Sequence, residues 1–117
     1  MSATIIRLDQ NERRSRAVVH GCIAYLAGQV ADDTALDVTG QARQVFAKID
    51  GLLAQAGTDK SRVLTAQLWI ADMADFAAMN AVWDAWVVPG HRPARACAQV
   101  ILADPGFRLE VIITAAV

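Results

Sequence analysis

The chain has 117 residues and a formal net charge of -1 at pH 7, and 55% of its residues are hydrophobic. This length is typical of one ordinary domain, and the apolar fraction is sufficient for a core without disulfides or a structural metal. The near-neutral charge argues against nucleic-acid or membrane-surface partners, because both need a basic field. We therefore expect one domain over residues 1–117 that binds neither nucleic acid nor membrane.

The cysteine content and the N-terminal residues indicate a compartment. Cys22 and Cys97 are too few for the disulfide framework of a small secreted protein. The first residues lack the apolar segment of a signal peptide, and the longest apolar runs are too short to span a membrane. These features predict a cytoplasmic protein with reduced cysteines.

The first half of the chain predicts three strands and a helix. The strands are expected at residues 4–8, 17–19 and 23–26, with a tight turn at His20-Gly21 between the last two. Apolar residues then recur at spacings of three and four, which is typical of an amphipathic helix. They are Ala42, Val45, Ile49, Leu52, Leu53 and Ala56. Asp37 or Thr39 is expected to cap the start of this helix, and Gly57 to follow its end.

The second half predicts a strand, a helix and two final strands. Residues 61–70 alternate, and the more apolar side is expected to face helices. This side consists of Leu64, Ala66, Leu68 and Ile70. The second helix is expected to start near Asp72 or Asp75 and to bury a stripe of Phe76, Met79, Trp83 and Trp86. Residues 94–101 and 108–115 complete the order β-β-β-α-β-α-β-β.

This order predicts an α+β fold, a mixed sheet with both helices on one face. The opposite face then remains uncovered, and the mean hydropathy of +0.30 indicates surplus apolar surface. In a chain of this size a second subunit is the natural cover.

Common catalytic and metal-binding motifs are missing from the sequence, so single residues carry the functional argument. His20 and His91 are interpreted as turn residues, and nothing at ligand spacing indicates a metal site. Glu110 lies within an apolar strand, where a carboxylate is costly unless it is paired or used. It is either a structural partner of an arginine or a group that positions or activates water.

Arg95 poses the same choice, because it begins another apolar strand. Its planar guanidinium suits bidentate binding of a carboxylate, and the alternatives are a partner for Glu110 or an interface contact. Strand alternation places Arg95, Cys97 and Gln99 on one face. Cys97 is interpreted as a pocket wall rather than a nucleophile, because no histidine stands out as its base.

Several segments together resemble the RidA (YjgF) family. Residues 92–100 (RPARACAQV) and 109–112 (LEVI) resemble its C-terminal signature. Residues 26–30 (LAGQV) resemble its Ser-Gly-Gln strand end, and residues 41–46 (QARQVF) with 53–57 (LAQAG) resemble its first helix. Residues 72–76 (DMADF) with Asn80 resemble the start of its second helix. The similarity extends over nearly the whole chain from about Arg14.

The resemblance implies a chorismate-mutase-like fold and a homotrimer with sites in the clefts between subunits. It implies hydrolytic deamination of reactive 2-imino or enamino acids of the 2-aminoacrylate type, giving 2-keto acids and ammonia without a metal or cofactor. Arg95 matches the arginine that holds the substrate carboxylate, and Glu110 matches the glutamate that orients water. Cys97 and Asn80 match substrate-binding positions.

Two departures from the family pattern leave the function open. Ala27 stands where the family has Ser, and Arg14 stands where it has Tyr. Loss of these two hydroxyls favours an alternative, a non-catalytic trimer that binds a small carboxylate metabolite or a partner protein. A chorismate mutase is a third hypothesis, because that enzyme shares the fold.

Overall fold

Residues 4–117 are described by a computed structural model, and they form a six-stranded mixed sheet with two helices on one face. The strands are β1 (Ile5–Leu8), β2 (Ala17–His20), β3 (Ile23–Leu26), β4 (Val63–Ile70), β5 (Ala94–Gln99) and β6 (Leu109–Ala116). The helices are α1 (Val38–Gln55) and α2 (Phe76–Trp86), with short 3-10 turns at Lys60–Arg62 and Met73–Asp75. The predicted fold class and element order are confirmed.

The strand order in the sheet is β1-β2-β3-β6-β4-β5. Strands β4 and β5 form the parallel pair of this sheet, because α2 connects the end of β4 to the start of β5 at the opposite end of the sheet. The other neighbouring strands are antiparallel. The last strand, β6, therefore lies near the middle of the sheet, and β5 lies at its edge.

Helix α1 begins and ends where the sequence predicts. The Asp37 carboxylate accepts a hydrogen bond from the Gly40 amide at 2.9 Å, so Asp37 rather than Thr39 is the cap. Gly57 follows the helix with φ of +85°, a conformation that glycine adopts without a steric penalty. The stripe of α1 from Ala42 to Leu53 is buried against the sheet.

The core lies between the helices and one face of the sheet. Alternate residues of β6 are fully buried there, as the pleat requires: Leu109, Val111, Ile113 and Ala115. Helix α2 adds Met79, Trp83 and Trp86, as predicted, whereas Phe76 of the predicted stripe is only half-buried. Phe46 of α1 stacks on Trp86 with ring centroids 4.8 Å apart, which joins the two helices.

One prediction for β4 is wrong. The pairing with β6 passes from Val63–Ala115 to Thr65–Thr114, so Leu64 is an extra residue in a bulge. The bulge reverses the alternation of side chains, so Val63 is buried and Leu64 is 42% exposed. Ala66, Leu68 and Ile70 do face the helices, as expected.

Strands β1 and β6 differ from their predicted bounds by one residue, and three other boundaries differ for an identifiable reason. The hairpin turn consists of Gly21 and Cys22, with Gly21 at φ of +61°, because His20 still pairs with Ile23 at the end of β2. Strand β4 starts two residues late, since the Asp59 carboxylate caps the 3-10 turn before it. Strand β5 ends at Gln99, and the Ile101 side chain beyond it is almost entirely exposed.

The sheet face opposite the helices is uncovered within the described chain. It carries apolar and aromatic side chains, among them Tyr25, which is 49% exposed, and the half-buried Trp69 and Ile112. Within residues 4–117, neither helix combines the length and apolar character needed to cross a lipid bilayer.

Candidate functional site

The Arg95 side chain is held against helix α2. Arg95 pairs with Ala66 of β4 and so projects from the sheet on the helix side. Its Nη1 donates a hydrogen bond to Asn80 Oδ1 at 2.7 Å, and its guanidinium carbon lies 5.3 Å from the Trp83 ring centroid and 5.9 Å from that of Phe76. An amide and two aromatic rings thus orient an exposed cation whose remaining donors are unused by the described residues.

Cys97 lies two residues along the same strand on the same side and is half-buried. Burial raises the pKa of its thiol, an effect that the Arg95 charge only partly opposes. The thiol form therefore dominates at neutral pH, and an unactivated thiol is a poor nucleophile. This favours the interpretation of Cys97 as a wall beside Arg95. We call Arg95, Asn80 and Cys97 the anchor half-site.

Glu110 occupies the other face of the sheet. It lies in β6 opposite Trp69 of β4, between the buried residues Leu109 and Val111, so its side chain projects away from the helices. It is half-buried, and burial raises the pKa of its carboxyl. A carboxylate with a raised pKa is a better proton acceptor than an ordinary glutamate.

Gly28 makes room for this carboxyl group. A Cβ atom at position 28 would collide with Glu110 Oε2, so no larger residue fits without moving Glu110. The neighbouring Gln29 fixes the backbone here by exchanging two hydrogen bonds with Val111, at 2.9 and 3.1 Å. We call Glu110 and Gly28 the carboxylate half-site. The sequence alone does not identify Gly28 as part of a site, although Gly28 and Gln29 belong to the segment 26–30 that resembles the family.

The two half-sites lie on opposite faces of one sheet. Among residues 4–117 the ion pairs are Arg16–Asp9, Lys48–Asp32 and Arg108–Asp75, so Arg95 and Glu110 do not pair with each other within the chain. The alternative of an intrachain Arg95–Glu110 salt bridge is therefore wrong. The structure brings Arg95, Asn80 and Cys97 together but separates them from Glu110, so one small molecule cannot touch both groups of a single chain.

The two positions that depart from the family pattern lie near the N-terminal loop and β3. Arg14 Nη1 donates to the Asp9 carbonyl at 3.0 Å, so its side chain is used within its own exposed loop. Ala27 follows β3 directly before Gly28, and its amide donates to the Arg16 carbonyl. Ala27 therefore adjoins the carboxylate half-site in the chain, whereas the contact of the Arg14 side chain lies within the N-terminal loop.

Comparison with known proteins gives concordant results. The sequence model of the family described as endoribonuclease L-PSP matches residues 4–117. A RutC family protein from Haemophilus ducreyi is 44% identical over 113 residues, covering 97% of each chain. The RutC family protein YoaB of Escherichia coli is 42% identical over 114 residues, covering 97% of this chain and 99% of that one.

Solved structures agree with the fold. A member of the YjgF protein family from Neisseria meningitidis superposes with a TM-score of 0.96 at 40% identity, covering 99% of this chain and 97% of that chain. An uncharacterised protein from Pseudomonas aeruginosa superposes with a TM-score of 0.94 at 41% identity, covering 97% and 98%. The family model matches residues 4–117, and the relatives are similar over nearly their whole length. This chain therefore belongs to the RidA (YjgF) family.

Proposed function

We propose that the protein hydrolyses reactive 2-imino or enamino acids of the 2-aminoacrylate type to 2-keto acids and ammonia. The observation that carries this proposal is the anchor half-site: an exposed arginine fixed by Asn80 and two aromatic rings, with which no carboxylate of residues 4–117 forms an ion pair. Such a group is suited to a ligand carboxylate.

The anchor half-site would bind the acid end of the substrate. The guanidinium can offer a bidentate contact while Nη1 keeps its bond to Asn80, so the substrate carbon is held in one orientation. Cys97 supplies a neutral wall beside it, since its thiol keeps its proton.

Glu110 would accept the proton from the attacking water. An enamino acid first tautomerises to the 2-imino acid. Water oxygen then bonds to the imine carbon, the C=N electron pair moves to nitrogen, and the nitrogen takes up the proton held by Glu110. The hydroxyl proton of this carbinolamine passes to nitrogen as the C–N bond breaks and the C=O bond forms, which releases ammonia and the 2-keto acid. The imine carbon is already electrophilic, so a positioned carboxylate is sufficient and no metal or organic cofactor is required.

The opposite placement of the half-sites leads to a proposal about assembly. A substrate held by Arg95 of one subunit reaches Glu110 only if another subunit presents its free sheet face. We propose a homotrimer in which each cleft combines the anchor half-site of one subunit with the carboxylate half-site of the next. The uncovered apolar face with Tyr25, Trp69 and Ile112 supports this arrangement.

The test is 2-keto acid release from imines generated in place by an amino-acid oxidase. We expect the protein to accelerate release over buffer and the Arg95→Ala variant to lose this effect chiefly through a raised KM. A set of imines with small and large side chains, none hydrolysed faster than in buffer, would refute the proposal.

A second candidate is a non-catalytic trimer that binds a small carboxylate metabolite or a partner protein. It is favoured by Ala27, which removes a hydroxyl beside Gly28, and by Arg14, whose side chain is used by the Asp9 carbonyl. Calorimetry with 2-keto acids distinguishes the two, since binding that requires Arg95 in a protein without turnover supports the binder.

A further inference from the structure

A groove of about 450 Å3 lies between the outer faces of α1 and α2. It shares no lining residue with either half-site, and it opens on the helix layer rather than on the sheet. Its volume lies within the usual range for small-molecule sites. The groove is thus separate from the proposed catalytic cleft.

The groove has an apolar interior. Its walls carry four alanine methyl groups, Ala47 of α1 and Ala78, Ala81 and Ala85 of α2. Its floor is the stacked pair of Phe46 and Trp86, whose planes are inclined by 22°. Because alanine side chains are small, they leave space above the two aromatic rings for a flat apolar ligand.

The rim of the groove carries charge of one dominant sign. Arg43 and Lys60 lie on it, and neither forms an ion pair with a carboxylate of residues 4–117. Asp50, the acidic residue of the lining, accepts a hydrogen bond from Trp86 Nε1 at 3.0 Å. The Lys60 ammonium lies 6.0 Å from the centroid of the Trp86 ring, directly beside the floor. Two cations against one engaged carboxylate leave a net positive charge.

We propose that this groove is a second ligand site, which binds a small aromatic carboxylate. The ring would lie between the alanine walls against Phe46 and Trp86, and the carboxylate would lie at the rim between Arg43 and Lys60. The proposal does not depend on the deaminase function, because it uses no residue of the anchor or carboxylate half-site.

Binding of 2-naphthoate to the full-length protein tests the proposal, with 2-naphthalenemethanol as the uncharged analogue. Two-dimensional NMR follows the indole N–H signal of Trp86, and that of Trp69 on the far sheet face serves as an internal reference. We expect naphthoate to shift the Trp86 signal, and the alcohol to bind roughly three- to fivefold more weakly because it lacks the exposed ion pairs.

Variants assign the bound molecule to the groove. Ala81→Phe fills the slot and should reduce naphthoate affinity about tenfold or more, whereas Ala77→Phe, an exposed position of α2 outside the lining, should not. Arg43→Gln should weaken binding, and the exposed Arg13→Gln should leave it unchanged.

Arg95→Ala separates this proposal from the proposed function. Naphthoate binding that persists in Arg95→Ala and is lost in Ala81→Phe supports the groove site even if no imine is hydrolysed. Binding that is lost in Arg95→Ala and kept in Ala81→Phe places the acid at the anchor half-site and overturns the groove proposal. Equal affinity for naphthoate and the alcohol also overturns it.

Discussion

The Glu110 carboxyl group can take its position because residue 28 is a glycine and has no Cβ atom. The nearest atom to an added Cβ there is Glu110 Oε2, the end of a flexible side chain, so the clash would be relieved by rotating Glu110 rather than by unfolding. We therefore expect Gly28→Ala to fold with nearly normal stability but to lose about tenfold or more in imine hydrolysis, as a misplaced proton acceptor would. Activity and thermal unfolding measured together check this.

Gly51→Ala is the matched control for that variant. Gly51 lies inside α1 with open space around an added Cβ. The substitution should raise the free energy of unfolding by roughly 0.5–1 kcal/mol and leave hydrolysis unchanged. A Gly28→Ala protein as active as Gly51→Ala would contradict the role of Gly28.

The raised pKa of Glu110 predicts how activity depends on pH. Burial disfavours the charged carboxylate, and a proton acceptor works only when it is ionised. The kcat/KM of imine hydrolysis should therefore rise with pH through an apparent pKa above the ordinary glutamate value of about 4.3. Glu110→Gln should abolish this rise, and a profile flat from pH 4 upward would contradict the role of Glu110.

The raised pKa of Glu110 also affects stability, and here the effect falls with pH whereas activity rises with pH. Because the folded pKa is higher than the unfolded pKa, the protonated group favours the fold at pH values below the ordinary glutamate pKa. This contribution is lost as pH rises through the raised pKa. The wild-type protein should thus lose stability relative to Glu110→Gln over that window in urea titrations at several pH values.

At the level of single residues, the sequence predicts chemistry better than geometry. A carboxylate in an apolar strand and an arginine beginning another are visible in the sequence, and the structure places Arg95 with Asn80 and Cys97 as the family resemblance implies. Gly28 could not be found by composition alone, because its importance comes from a contact with a residue 82 positions later (110 − 28). The rings of Phe76 and Trp83 were expected in the core, and they also hold Arg95.

Among the elements, one buried side chain joins helix α1 to the loop before it and to the loop that leads into β6. Gln41 is fully buried; its Nε2 donates to the carbonyls of Leu36 and Gly106, and its Oε1 accepts from the Arg108 amide. These bonds fix the segment that leads into β6 and hence the start of the strand that carries Glu110. Sequence patterns indicate a helix here but not this long-range contact.

Gln41→Leu should therefore be strongly destabilising. The leucine keeps the volume but leaves the partly buried Gly106 carbonyl and Arg108 amide without their side-chain partner, which costs roughly 1–3 kcal/mol. Urea denaturation measures the loss. Gln55→Leu, at an exposed position of the same helix, should change stability by less than about 0.5 kcal/mol. Equal effects of the two variants would show that the Gln41 contacts contribute little.

The elements themselves were largely predictable because their signals are local. The apolar period of α1, the Asp37 cap and Gly57 all lie within a few turns of each other. The bulge at Leu64 was not predictable, because it exists only in the pairing of β4 with β6. The residues of β6 opposite the bulge begin 50 positions later in the chain (114 − 64). Simple alternation through this segment therefore assigned Leu64 to the wrong face.

For the whole molecule, the sheet order decides what kind of site is available. Strand β6 inserts between β3 and β4, and β5 stays at the edge, an arrangement that no local pattern encodes. It places Glu110 near the middle of the free face and Arg95 at the rim of the covered face. The sequence suggests the two residues as working partners, and the topology separates them onto opposite faces of the sheet. The proposed trimer accounts for this separation by pairing Arg95 of one subunit with Glu110 of the next.

Mixing two inactive variants tests this shared site. Arg95→Ala subunits keep Glu110, and Glu110→Gln subunits keep Arg95, so a cleft between the two kinds can contain both intact groups. If equal amounts are unfolded together and refolded as mixed symmetric trimers, about a quarter of the clefts should be intact, because each cleft draws its two residues independently. At substrate concentrations below the wild-type KM the mixture should then regain about a quarter of wild-type hydrolysis, while each variant refolded alone should stay far below that level.

Recovery of hydrolysis on mixing requires that the subunits form trimers, and a variant of the sheet surface can prevent trimer formation. Tyr25→Glu places a charge on the uncovered sheet face without touching the helix-facing core, and it should reduce the mass measured by light scattering to that of one subunit. If the cleft is shared, this variant is inactive although it carries both Arg95 and Glu110. Full activity in a monomeric Tyr25→Glu protein, or no recovery on mixing despite trimers forming, would contradict the intersubunit site. Recovery on mixing together with inactivity of the monomer would establish that the catalytic unit is a pair of neighbouring subunits rather than the chain.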